Sequence, residues 1–157
     1  MVKLHLKVVF DVNAAYLTVD IIFFNLNSFM NCSEYMRIPA KYLPAGIVEQ
    51  YQLKFLNVNM YYMVEIRKGI YGLPQAGIIT NKRLQAHLYR HGYFPCPHTL
   101  GLYKYKSLDT TFTFVVDNFG IRYTSKANAL HLIHCLRSLY IVTIDWSGFL
   151  YIGINLD

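Results

Sequence analysis

The chain has 157 residues, 54% of them hydrophobic and 15% charged, which excludes disorder and gives one domain with a real core rather than two. A net charge of +6 favours a polyanionic partner. No apolar run reaches the ~18 residues of a membrane span, no secretory leader is visible at the start, and three widely spaced cysteines (Cys32, Cys96, Cys135) suit free thiols in a reducing, intracellular compartment.

Lys3 to Phe10 alternates, with Leu4, Leu6, Val8 and Phe10 on one face, which predicts a strand ending at Asp11. In the following DVNAAYLTVDII, Ala14, Ala15 and Leu17 suit a helical turn or short helix. NLNSFMNCSE reads as a loop, EYMRIP as a short strand stopped by Pro39, and KYLPAG as a turn. Val64 and Ile66 alternate against Glu65 and Arg67, as in a strand. GIYGLPQAG has three glycines and one proline in nine positions and is expected to be a loop. A helix is predicted from Ile78 to about His91, with Leu84 and Leu88 four apart and Gly92 as its stop.

FPCPHTLG is irregular, and Leu102 to Tyr105 suits a short strand. FTFVVDNFGIRY, Phe112 to Tyr123, predicts a hairpin joined at Asp117-Asn118, two residues that tolerate tight turns. Lys126 to Tyr140 carries Ala129, Leu132, Ile133, Leu136, Leu139 and Tyr140 at the spacing of one buried helical stripe, with Ser125 able to cap it. His131 and His134 fall off that stripe and are expected to be exposed. Trp146 to Leu156 closes with a turn at Ser147-Gly148 and an apolar strand. Both ends run through strand pattern, so a fragment of something longer is expected. The order of elements predicts an α+β fold, an antiparallel sheet with helices on one face.

Two carboxylates on strand ends, Asp11 and Asp117, with a glycine loop between them in sequence, carry the chemistry. Shared carboxylates can hold two divalent ions roughly 4 Å apart over a nucleotide, and oxygen ligands suit magnesium. His87 and His91, four apart on a helix and followed by Cys96 and His98, have conceivable zinc spacing; a solvated helix end is the plainer reading. Nothing in sequence supplies a base to Cys135, and no nucleophile elbow is present.

Taken in order, FDVNAAYL, EYMRIP, IYGLPQAG, VVDN and FLYIGINLD resemble the palm of reverse transcriptases, most closely those of copia-type retrotransposons. The resemblance covers nearly the whole chain. It implies a reverse-transcriptase-like palm over 1–19 and 70–157, truncated fingers over 20–69, and no thumb. It implies RNA-directed DNA polymerisation with two magnesium ions, an RNA or DNA template with primer, deoxynucleotide triphosphates, and the rest of a polyprotein as partners. Asp11 and Asp117 are the implied metal ligands and, with Asn118, the implied catalytic residues. Tyr16 is the implied gate against a 2′-hydroxyl, and Gln75, Pro74 and Gly72 form the implied nucleotide-binding loop. The family has Asp-Asp where this chain has Asp117-Asn118, so one anionic ligand is replaced by a neutral amide. The alternative is a catalytically inactive nucleic-acid-binding remnant; a third reading is a fragment that does not fold.

Overall fold

The computed structural model describes residues 13–56, 59–99 and 101–155. The strand expected over Lys3 to Phe10, and Asp11 at its end, lie outside the described residues. In chain order the elements are β1 (Ala15–Ile21), β2 (Phe29–Pro39), α1 (Ala45–Gln50), β3 (Tyr61–Lys68), α2 (Pro74–Arg90), β4 (Tyr93–Pro95), β5 (Leu102–Tyr105), β6 (Thr110–Val115), β7 (Asn118–Tyr123), α3 (Lys126–Arg137), β8 (Val142–Asp145), β9 (Leu150–Tyr151) and β10 (Ile154–Asn155), with short 3-10 turns between. The order β4-β5-β6-β7-β1-β8 makes one six-stranded antiparallel sheet, while β2 pairs with β3 and β9 with β10. The fold is α+β.

The core follows from period-two alternation meeting helical stripes. Leu17, Val19 and Ile21 of β1 share one sheet face with Phe112 of β6 and with Phe119 and Ile121 of β7. Against that face pack Leu84 and Leu88 of α2 and Ala129, Leu132, Ile133 and Leu136 of α3, so both helices cover the same side. Each such side chain contributes about 1.5–3 kcal/mol on full burial. The other face carries Tyr16, Thr18 and Asp20 of β1 beside Asn118, Gly120 and Arg122 of β7. Arg122 is buried there and donates to Asp109 Oδ1 at 2.7 Å.

Several expectations shift. Residues 15–21 are a strand, not a helical turn, because Leu17, Val19 and Ile21 alternate with Tyr16, Thr18 and Asp20 and the β-branched side chains suit a pleated surface. That strand runs through the boundary drawn between 19 and 20. Residues 29–34, expected as loop, already belong to β2. The helix expected from Ile78 begins at Pro74, since proline is favoured in a first turn and Gly77 sits inside without obstruction. α3 ends at Arg137, with Tyr140 buried just beyond it, and Ser125 stands at its N-cap without a side-chain bond. The hairpin turn is Val116-Asp117 rather than Asp117-Asn118, because Asn118 pairs with Val115 across the ladder. Val116 therefore takes φ 58°, a left-handed angle that a β-branched residue resists. Among the described residues, no helix is long and apolar enough to cross a membrane.

Candidate active site at the tip of the central hairpin

The β6–β7 turn holds Asp117 at the sheet's edge. Its backbone carbonyl accepts the Ile21 N–H at 2.9 Å, which ties the end of β1 to the turn. Register then places Asp20 opposite Asn118. Burial, and next the Asp117 charge, raise the Asp20 carboxyl above its ordinary range.

Both oxygens of Asp117 are engaged. Tyr71 Oη donates to Oδ2 at 2.8 Å, and Asn118 Nδ2 donates to Oδ1 at 2.8 Å. A carboxylate only accepts, so the Asn118 amide must present its nitrogen here. The Tyr71 phenol is pushed up to about 12, first by its bond to Asp117, then by burial, then by the charges of Asp117 and Asp20. Tyr71 thus sits where the fields of two carboxylates overlap.

Tyr71 belongs to the GIYGLPQAG turn. The same turn brings Gly72, exposed with φ 94°, and Pro74, exposed at the first position of α2. Gln75 faces elsewhere: its Nε2 donates to Glu34 Oε1 of β2 at 2.5 Å. Two side-chain bonds therefore stitch three distant segments together, EYMRIP to LPQAG through Glu34–Gln75, and IYG to VVDN through Tyr71–Asp117.

Tyr16 stands apart. It pairs in register with Arg122, four residues along β1 from Asp20, or ~13 Å at strand rise. Its ring meets Tyr151 edge-on at 6.3 Å between centroids, and its hydroxyl fills the space where a Cβ on Gly120 would stand. Burial, then Tyr151, raise its phenol well above the ordinary tyrosine value. The structure joins Asp117 and Asn118 to Tyr71, the residue before Gly72, and sets Tyr16 against Tyr151 and Gly120 farther along β1.

Asp20 and Tyr71 were not among the residues singled out from sequence. Asp20's signal was present in the alternation of YLTVDI, and Tyr71 lies inside a motif that was quoted for its glycines and Gln75. Burial pushes the Cys135 thiol up to about 12, so nothing in the described surroundings activates it as a nucleophile.

The Asp20–Asp117 donor set is all oxygen, with a phenol supporting one carboxylate. As a donor class, carboxylate oxygens suit magnesium better than a zinc-class ion. No protein-family model matches this chain, and no curated protein or solved structure is significantly similar to it.

Proposed function

We propose that the chain is the palm portion of a copia-type reverse transcriptase, carrying RNA-directed DNA polymerisation at the Asp20–Asp117 edge of its sheet. The observation that carries this reading is the Tyr71–Asp117 bond, which joins the loop motif to the hairpin motif although 46 residues separate them. The bond supports the reading because it sets the loop that would touch a nucleotide beside the carboxylate that would bind a metal.

In this reading Asp117 and Asp20 hold the divalent ions, and Tyr71 and Asn118 fix the orientation of the Asp117 carboxylate. Bound magnesium supplies charge neutralisation on the triphosphate and on the attacking primer oxygen. Gly72 and Pro74 allow close backbone approach to a nucleotide, and Gln75 reaches it after leaving Glu34. The resemblance gives the first ligand role to Asp11, which lies outside the described residues; Asp20 is the described carboxylate that feels the Asp117 charge, and the test separates the two.

The test is primer extension on an RNA template with magnesium or manganese. Asn118→Asp restores an anionic ligand and is expected to extend at least tenfold faster than the chain as given. In that background Asp117→Ala and Asp20→Ala are each expected to lose extension by about a thousandfold. Loss on Asp11→Ala with Asp20→Ala unaffected would move the ligand role to Asp11. Extension that survives Asp117→Ala overturns the reading.

A second reading rests on the β2–β3 arm. Arg37 lies over the Tyr61 ring at 3.8 Å and Lys68 over Phe29 at 5.7 Å, with Phe29 and Tyr35 exposed. Paired cations and aromatics of this kind suit single-stranded nucleic acid. Salt-dependent binding of primer–template without extension by any variant favours this non-catalytic remnant.

A further inference from the structure

We propose that His87, His91 and Cys135 form a binding site for a zinc-class divalent ion that clamps α2 to α3 behind the sheet. One ligand atom from each residue lies within 4.8 Å of the other two. The site is separate from the Asp20–Asp117 edge and does not depend on the polymerase reading.

Helical spacing makes the first half of the site. His87 in the last turn of α2 and His91 at its C-cap stand four residues apart, and their imidazole rings lie 4.6 Å apart between centroids. The second half comes from α3, whose buried face turns Cys135 toward them. Sequence spacing pointed instead to Cys96 and His98, but those two line a different cavity with Gln85, Tyr89 and Tyr103.

Hydrogen bonding prepares the histidine. His87 Nε2 lies 2.7 Å from the Cys135 carbonyl, which only accepts, so Nε2 carries the proton and Nδ1 keeps its lone pair. Ser138 Oγ donates to the same carbonyl at 2.7 Å and lies 3.1 Å from His87 Nε2. Metal-ligating histidines characteristically donate their other ring N–H to a carbonyl in this way, fixing tautomer and ring orientation.

The donors select the ion. Two imidazoles and a thiolate suit zinc and its cobalt substitute and do not suit magnesium. Ligand atoms in a tetrahedral zinc site stand about 3.3–3.6 Å apart, so modest side-chain rotation closes the cluster. The thiol proton leaves to solvent as the ion binds. His87 is half-buried and His91 stands at the helix end toward solvent, so water can supply a fourth ligand.

The test is titration of the purified chain with Co²⁺. The expected result is saturation at one ion per chain, with tetrahedral ligand-field bands and a thiolate-to-cobalt charge-transfer band that Zn²⁺ abolishes by competition. Cys135→Ser removes the charge-transfer band. Because Cys135 is buried and its variant can fail to fold, His91→Gln at the helix end is the second arm. It is expected to weaken binding about a hundredfold, and Ser138→Ala about tenfold. Asp117→Asn, and the double change Cys96→Ser with His98→Gln, leave the spectrum intact. Cobalt binding without the charge-transfer band, binding unaffected by His91→Gln, or binding lost with the Cys96 and His98 changes overturns the proposal.

Discussion

Tyr71 donates its phenolic proton to Asp117 Oδ2 at 2.8 Å, so the glycine-rich turn and the hairpin tip are held as one unit. Tyr71→Phe keeps the ring and removes the donor, and is expected to cost ~0.5–1.5 kcal/mol of stability by urea unfolding. The pH dependence has a definite sign. The Tyr71 phenol rises from 10.0 to about 12, so its contribution is complete below pH 10 and is lost as pH climbs through the folded value. Other buried tyrosines also titrate in the alkaline range, so the informative quantity is the difference between the chain and Tyr71→Phe. A difference that stays constant across that window would count against the bond.

Asp20 is a strained carboxylate. Its pKa stands above 3.8 because of burial and the Asp117 charge. A raised carboxyl contributes stability below its unfolded value and loses it as pH rises through the folded one, so at neutral pH the ionised group is a cost. Asp20→Asn is therefore expected to stabilise the fold modestly at pH 7, with the gain vanishing in acid. The same change is expected to abolish primer extension. Stability gained and activity lost together is the mark of a group kept for function; loss of both would make Asp20 an ordinary structural residue.

Asn118→Asp exchanges a donor for a third negative charge beside Asp117 and Asp20. Without a divalent ion it is expected to destabilise the chain by ~1–3 kcal/mol. Excess magnesium is expected to recover most of that loss in the variant and to change the original chain far less. Thermal melts with and without magnesium check this, and an equal magnesium response in both chains would remove Asn118 from the ion's surroundings.

The Arg122 guanidinium is buried while its partner Asp109 is largely exposed, with 2.7 Å between Nη1 and Oδ1. Asp109→Ala leaves a buried cation with less compensation, for an expected loss of ~1–3 kcal/mol. Arg122→Met with Asp109→Ala is expected to recover part of it. A double-mutant cycle by chemical unfolding measures the coupling.

What sequence could reveal depended on whether the signal was local. Phe112, Phe114 and Phe119 announced their hairpin through alternation alone, and Leu132, Ile133 and Leu136 announced α3 through helical spacing. The turn moved by one residue because the ladder pairs Asn118 with Val115, and that pairing overrides the poor fit of Val116 to a left-handed angle. Ala14 and Ala15 suggested helix for a segment that tertiary pairing made a strand. Asp117 was legible as a turn residue, whereas Asn118 belongs to the strand that follows. Asp20 was not legible as their neighbour, because its place depends on the register between β1 and β7. His87 with Cys135 is the same case: helical spacing reveals two histidines, and only helix packing reveals the sulfur.

The interlock of Tyr16 with Gly120 makes two positions inherit together. A Cβ at 120 would collide with the Tyr16 hydroxyl and press within 3.0 Å of Tyr151, so any side chain there must wait for a smaller residue at 16. Tyr16→Ala, conversely, empties the space over Gly120 that the Tyr16 hydroxyl occupies. The order of change at this spot is therefore one-way: position 16 must shrink before position 120 can grow.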